Sequence, residues 1–220
     1  MRIEEEKMDG EAWESVEGSK SGTASEGYQQ AYRSMEAAAK DTEGEMLFYQ
    51  SKVCEGVFHR ISSGTTRDGL EVFGKMEKGY LLSVDSNWDM YGDGYLSGHY
   101  FSEGALREQL EKAYPGLVFT EEPVENQINM YKRDKVGHIL FLTVGNKTIS
   151  GEEFRQLLEL PSSNFTMQAA DGKIRFLCKG QGHGLGLSQY GGNVLAKEGK
   201  SYKEILRYYF PECGVQKKDS

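Results

Sequence analysis

The chain has 220 residues with a hydrophobic content of 38%, 27 glycines, four prolines and a formal net charge of −8. That length buries a core of its own as one domain, or a domain with a subdomain, and the composition fits a glycine-turn-rich α+β protein rather than a disordered chain or a solenoid. The negative charge, with no basic stripe of interleaved aromatics, argues against nucleic acid and against an anionic membrane face, and no apolar run has the length of a transmembrane helix.

Taken in order, residues 1–27 are an acidic lead-in, 28–215 the folded domain and 216–220 a frayed tail. No charged-then-apolar signal opens the chain. Residues 35–40 are helix-prone or an extended lead-in, and Glu43-Gly44 turns into a strand at 46–49. A second strand, 56–61, brings His59 to the edge of the hydroxyl-dense loop Ser62-Ser63-Gly64-Thr65-Thr66, whose side chains suit sugar or peptide hydrogen bonding but also bond readily to their own backbone. An apolar strand at 80–84 leads to Asp85, Asn87, Trp88 and Asp89, where an aromatic and carboxylates face a glycan or the Trp lids the core. Residues 91–100 are glycine-rich and flexible, and Ser102 caps a helix running to about 113 with Leu106 and Leu110 on one face.

A hairpin pairs 131–136 with 138–144 across Gly137, and Asn146-Lys147 turns into a helix opened by a Ser150/Glu153 capping box with Phe154, Leu157 and Leu158 buried. Residues 165–169 and 173–178 pair across Asp171-Gly172, a strong hairpin signal. A last helix repeats the capping box with Ser201 and Glu204, carries Ile205, Leu206 and Tyr209 on its apolar stripe and ends at Pro211; Tyr208, Tyr209 and Phe210 are expected in the core. The fold is α+β, a twisted, mainly antiparallel sheet with short capped helices. Cys54, Cys178 and Cys213 have no C-x-x-C spacing, so a zinc knuckle is disfavoured and one pair with one free thiol stays open.

The chain is organised around 179–192, KGQGHGLGLSQYGG, in which Gly180, Gly182, Gly184 and Gly186 recur at every second position around His183. Glycine tolerates backbone angles closed to other residues and leaves room for close approach to the main chain. A strand precedes the run and a helix follows it, with Ser188 placed as N-cap and Gly199 as the stop. The strict G-x-G-x-x-G order and the Walker lysine are both missing, so a phosphate cradle is disfavoured, and no G-x-S-x-G elbow makes Ser188 a nucleophile.

The stretch 180–211, GQGHGLGLSQYGGNVLAKEGKSYKEILRYYFP, resembles the C-terminal signature of the SpoIID/LytB family, the stage II sporulation protein D and amidase-enhancer group. DTEGEMLFYQ (41–50), FHRISSGTT (58–66), YLLSVDSNWD (80–89) and ISGEEFRQLLEL (149–160) resemble earlier family segments in the expected order, so the resemblance covers 28–215. It implies peptidoglycan glycan strands as substrate and an extracytoplasmic place at the cell wall, membrane-anchored through a preceding segment. The full-length sporulation enzymes are lytic transglycosylases, whose acid protonates the glycosidic oxygen and then deprotonates the sugar C6 hydroxyl.

The family's catalytic Glu belongs to that preceding segment and has no counterpart here, so the sequence reads as a truncated chain that does not cleave glycan by itself. The zinc-holding Cys/His segment of many relatives is echoed at 23–32 only by Gln29 or Gln30 and Tyr32. Zinc is therefore not carried over and no cofactor is expected. His183, Ser188 and Gln189, with Gly182 and Gly184, are expected to form one wall of a glycan cleft, and His59, Ser62, Ser63 and Thr66 the other. His59 and His183 thus share a cleft although 124 positions apart, and Gly184→Val would block or distort it. Two alternatives stand: a binding module that assists a partner wall amidase or other sporulation proteins, and a metal-dependent enzyme using His59, His183 and Cys178.

Overall fold

The computed structural model describes residues 26–217, which hold six α-helices and eleven strands. In chain order these are α1 (Glu26–Asp41), β1 (Glu45–Tyr49), β2 (Lys52–Val53), β3 (Phe58–His59), α2 (Gly69–Phe73), β4 (Leu96–Phe101), α3 (Glu103–Ala113), β5 (Ile128–Arg133), β6 (Ile139–Val144), β7 (Lys147–Ser150), α4 (Gly151–Leu157), β8 (Phe165–Ala170), β9 (Lys173–Lys179), β10 (Leu187–Ser188), α5 (Gln189–Lys197), α6 (Tyr202–Tyr209) and β11 (Gly214–Lys217). The acidic opening and residues 218–220 of the expected tail lie outside the described residues. Gln216 and Lys217, assigned to that tail, belong to β11.

The chain divides into two units: the segment through Glu45, which Lys217 joins, and a body spanning Met46–Gln216. The first unit contains α1, which begins well before the helix-prone stretch at 35–40 and carries an ion pair one turn apart, Lys40 Nζ to Glu36 at 3.0 Å.

In the body, the α+β expectation holds, with the single twisted sheet replaced by four small ones, β11-β1-β2, β10-β3, β4-β9-β8 and β5-β6-β7. The hairpin pairings and the β4–β9 pairing are antiparallel; β10 runs parallel to β3. Local chemistry explains the elements that were legible. Asp171 and Gly172 take φ of 51° and 71°, the two positive values that match a two-residue turn to the twist of its strands. Ser150 with Glu153 and Ser201 with Glu204 form complete capping boxes, and Ser102 and Ser188 cap α3 and α5.

Four expectations are corrected. Residues 91–100 are not a flexible stretch throughout, because β4 pairs with β9 over six registered positions from Leu96–Lys179 to Phe101–Ile174; the long-range partner outweighs the low strand preference of Gly98. Residues 80–84 form no strand: the Val84 amide donates to Thr66 Oγ1 at 2.8 Å, so a side chain takes the place of a ladder carbonyl. Residues 147–150 form β7 before the capped helix begins. Of the strand expected at 56–61, only Phe58–His59 pairs as a strand, with Ile61 bridged singly to Gln181.

The main core joins the two three-stranded sheets β4-β9-β8 and β5-β6-β7 to α3 and α4. Phe154, Phe165 and Phe176 pack mutually at centroid distances of 5.4–5.8 Å, with Leu106, Leu110, Ile139 and Leu142 around them. Phe154 and Leu158 are buried as expected and Leu157 half-buried. Outside that cluster Tyr80, Leu81, Leu185, Leu195, Ile205, Tyr209 and Phe210 are also buried, with Tyr80 and Phe210 stacked at 6.4 Å and the Phe210 ring against Gly186 of the glycine loop.

Candidate functional site

The glycine run is a backbone strap. Gly180, Gly182, Gly184 and Gly186 all have positive φ, 76°, 99°, 76° and 69°, so every second residue turns left-handed while Gln181, His183 and Leu185 between them do not. The strap lies along the segment 57–67: Ile61 and Gln181 exchange amide hydrogen bonds at 3.1 and 2.7 Å, Leu187 N donates to Val57 O, and Arg67 N donates to Gly184 O at 2.7 Å. A Cβ on Gly182 would lie 2.9 Å from His59 Cβ, and one on Gly184 3.0 Å from both Arg67 Cδ and His138 Nε2. The close approach that these glycines permit is made by the protein's own chain. The strain expected of Gly184→Val therefore has a specific source.

The strap brings His59 and His183 together, with ring centroids 5.9 Å apart in an edge-on arrangement. Their tautomers are set by the main chain. His59 Nδ1 faces the Leu185 carbonyl at 3.0 Å and so carries a proton, whereas His183 Nδ1 accepts from Leu185 N at 3.1 Å and so does not. Both rings are buried, at 2% and 7% exposure, which makes them interior supports of the loop.

Three partners of this cluster escaped sequence reading. Arg67 and Asp134 form a buried ion pair, Nε to Oδ2 at 2.6 Å with side chains 4% and 1% exposed. Arg67 Nη1 also donates to the His183 carbonyl, and Asp134 Oδ1 accepts from the amides of His138 and Val136 at 2.8 and 3.2 Å. His138 is 2% exposed and bonds through Nδ1 to Ser163 Oγ at 3.0 Å. A turn signal at Gly137 was the available clue, since the D-x-x-G-H spacing of 134–138 lets one carboxylate collect the turn's amides.

Burial, then the charge of Arg67, hold the His138 pKa well below the ordinary histidine value, with His59, His183 and Arg155 acting in the same direction. Above about pH 6.5 folded and unfolded chains both keep this ring neutral, so it adds no pH dependence. Below that the unfolded chain binds a proton that the folded one refuses. Stability is then expected to fall by about 1.4 kcal/mol per pH unit for this one group until the folded pKa is reached. Urea unfolding between pH 7 and 5 checks it: His138→Gln should flatten the slope, and an unchanged slope would assign the effect elsewhere.

Most hydroxyls of the two expected walls bond to the protein's own backbone. Thr66 Oγ1 bonds to Leu82 O and Val84 N, Ser62 Oγ accepts from Gly64 N, and Ser188 Oγ accepts from Gly191 N as the cap of α5. Ser62, Thr66 and Ser188 are buried, as are Gly184 and the two histidines; Ser63 and Gly182 are half-buried and Gln189 is exposed. Asp89, one of the acids placed near a glycan, is fully buried, its Oδ2 accepting from Ser62 N at 2.6 Å. Tyr209 and Phe210 are buried as expected of core residues, whereas Tyr208 is exposed, bonded to Asp85 O and tilted against Trp88 at 5.8 Å.

Among the described residues no group of three or more His, Cys, Asp or Glu is arranged to hold a metal, and Cys178 lies in the apolar core. Nor is any helix there long and apolar enough to cross a membrane.

The accessible part of the site is a rim where α5 lies against the 87–91 turn. It presents Gln189, the Tyr190 ring packed on Gly92, the exposed Asn87 and a Tyr91 that is 82% exposed, with Trp88 half-buried alongside.

Sequence comparison finds similar proteins that cover most of this chain. The chain is 30% identical over 193 residues to stage II sporulation protein D of Bacillus amyloliquefaciens and 27% identical over 194 residues to that of Bacillus subtilis. Each alignment covers 88% of this chain and 54% of the relative, so the chain spans about half the length of the curated relatives it matches. Over 88 residues, 40% of this chain and 12% of the relative, it is 32% identical to the amidase enhancer of Bacillus subtilis. No family model matches the chain. These likenesses support a SpoIID/LytB-like family for the chain.

Proposed function

We propose that the chain acts on the cell wall in sporulation by holding peptidoglycan glycan strands, as the strand-cradling part of a SpoIID-like lytic transglycosylase at an extracytoplasmic site. The observation that carries this reading is the rim formed by α5 and the 87–91 turn, where exposed amides and aromatics flank the strap that bears the family signature. Aromatic faces and amide hydrogen bonds together recognise a sugar's apolar face and its hydroxyls. In this reading the buried histidines and hydroxyls fix the shape of the wall, and Gln189, Asn87 and Tyr91 meet the ligand.

Cleavage needs a positioned acid, which typically contributes about 10²–10⁴-fold. The two buried carboxylates beside the strap are committed, Asp134 to Arg67 and Asp89 to the Ser62 amide. The 220-residue chain is therefore expected to be retained on denuded glycan strands without releasing anhydro-ended fragments detectable by mass spectrometry. Gln189→Ala and Tyr91→Ala, both at exposed positions, should each weaken retention about tenfold while leaving the melting temperature unchanged. Absence of retention by the unaltered chain, or full retention by a variant carrying both Gln189→Ala and Tyr91→Ala, would remove the rim from the site. Release of anhydro ends would place the acid within these residues. The likeness to an amidase enhancer favours a second reading, in which bound strands are presented to a wall amidase; faster wall hydrolysis by such an amidase when the chain is added would support it.

A further inference from the structure

Two of the three cysteines, far apart in sequence, meet in the folded chain. Cys54, just after β2, and Cys213, just before β11, are separated by 159 positions, and their Sγ atoms are 3.7 Å apart. Each backbone is anchored, Cys54 N to Leu47 O at 2.9 Å and Cys213 N to Phe210 O at 3.0 Å. Both residues are partly accessible, whereas Cys178 is fully buried in the apolar core. A disulfide needs an Sγ–Sγ distance of about 2.05 Å. The gap is thus about 1.7 Å, within the reach of a side-chain rotation.

We propose that Cys54 and Cys213 are an oxidation site that closes to a single structural disulfide, leaving Cys178 as a free thiol. The link would join the first hairpin of the body to the segment that follows α6. Phe210, three residues before Cys213, has its ring edge 3.2 Å from where a Cβ on Gly186 would be, and Tyr209 is hydrogen-bonded to Ser86 at 2.8 Å. Fixing the end of α6 therefore fixes the wall on which the strap rests. This inference does not depend on what the rim binds.

The oxidant is a small-molecule disulfide such as oxidised glutathione. The Cys54 thiolate attacks it and one donor thiol leaves; the Cys213 thiolate then attacks the mixed disulfide at Cys54 Sγ and the second donor thiol leaves. Two protein thiols are oxidised, one donor disulfide is reduced, and the two thiol protons end on the donor thiols. Burial raises both thiols, Cys213 to about 12, while Lys78 and the contact with Cys213 act to lower Cys54. Cys54 is accordingly the first to react, and exchange at neutral pH is slow.

The whole chain would be incubated with oxidised glutathione at mildly alkaline pH, alkylated without reduction, and analysed by intact mass and peptide mapping. The expected product is lighter by two hydrogens, contains a Cys54–Cys213 cross-linked peptide, and shows Cys178 alkylated only after unfolding. Its melting temperature should lie about 10 °C above that of the reduced chain, since closing so long a loop restricts the unfolded state strongly. Reductant should reverse the shift. Cys54→Ser and Cys213→Ser should abolish both cross-link and shift while melting, in reductant, close to the reduced parent. Two separately glutathionylated cysteines, a link involving Cys178, or a Cys54–Cys213 link with no rise in melting temperature would each overturn the proposal.

Discussion

Asp134→Ala is expected to destabilise the chain by about 3–5 kcal/mol, enough to lower its melting temperature by roughly 10 °C. The substitution leaves the Arg67 guanidinium buried without its 2.6 Å partner and takes the acceptor from the amides of Val136 and His138 as well. An uncompensated buried charge dominates that loss, because the attraction it forfeits had offset the desolvation of both ions. The double variant Arg67→Met with Asp134→Leu should therefore cost less than Asp134→Ala alone. Urea unfolding at pH 7.5 measures both. A loss below about 1 kcal/mol for the single variant would mean that Arg67 reaches solvent in the native state.

Gly186→Val should cost about 4 kcal/mol or more. Gly186 has φ 69°, a conformation in which a side chain is strained by about 1–2 kcal/mol. A Cβ there would also overlap the Val57 carbonyl oxygen, which accepts the Leu187 amide and cannot move aside. Gly199 supplies the comparison, for its φ is 87° yet nothing lies within 4 Å of an added Cβ. Gly199→Ala should thus show the backbone strain alone, and Gly186→Ala the strain plus the collision. Equal losses at the two positions would show that the approach of the strap to 57–67 contributes nothing. Gly184→Val should fall between, since its neighbours at 3.0 Å are the side chains of Arg67 and His138, which can yield more than backbone can.

The family was legible because its signature is a string of local necessities. Glycines at 180, 182, 184 and 186 are required wherever the chain turns left-handed at alternate residues, and serines at 150, 188 and 201 mark helix starts through bonds made three residues away. Such features are written in neighbouring residues. The meeting of His59 with His183 was also anticipated, from the glycine alternation. Its character was not. Histidines beside glycines and hydroxyls look the same in sequence whether they face a ligand or the protein's own backbone, and the choice depends on which segment the strap lies against.

Tertiary structure alone decided the rest. Arg67 and Asp134 are 67 positions apart and each looks like a surface charge in its own neighbourhood; only the fold removes both from water and makes them a pair. The strand at 96–101 forms because β9 offers it a partner some 80 residues later in the chain, against the preference of its own glycine. Cys54 and Cys213 face one another because β2 and β11 flank β1 in one sheet. By itself, then, the sequence determined the α+β class, the capped helices, the tight turns and the family, all of which rest on interactions spanning a few residues. Which polar groups are interior scaffold and which form the accessible rim was settled by packing between distant segments, because burial belongs to the assembled chain and not to any stretch of it.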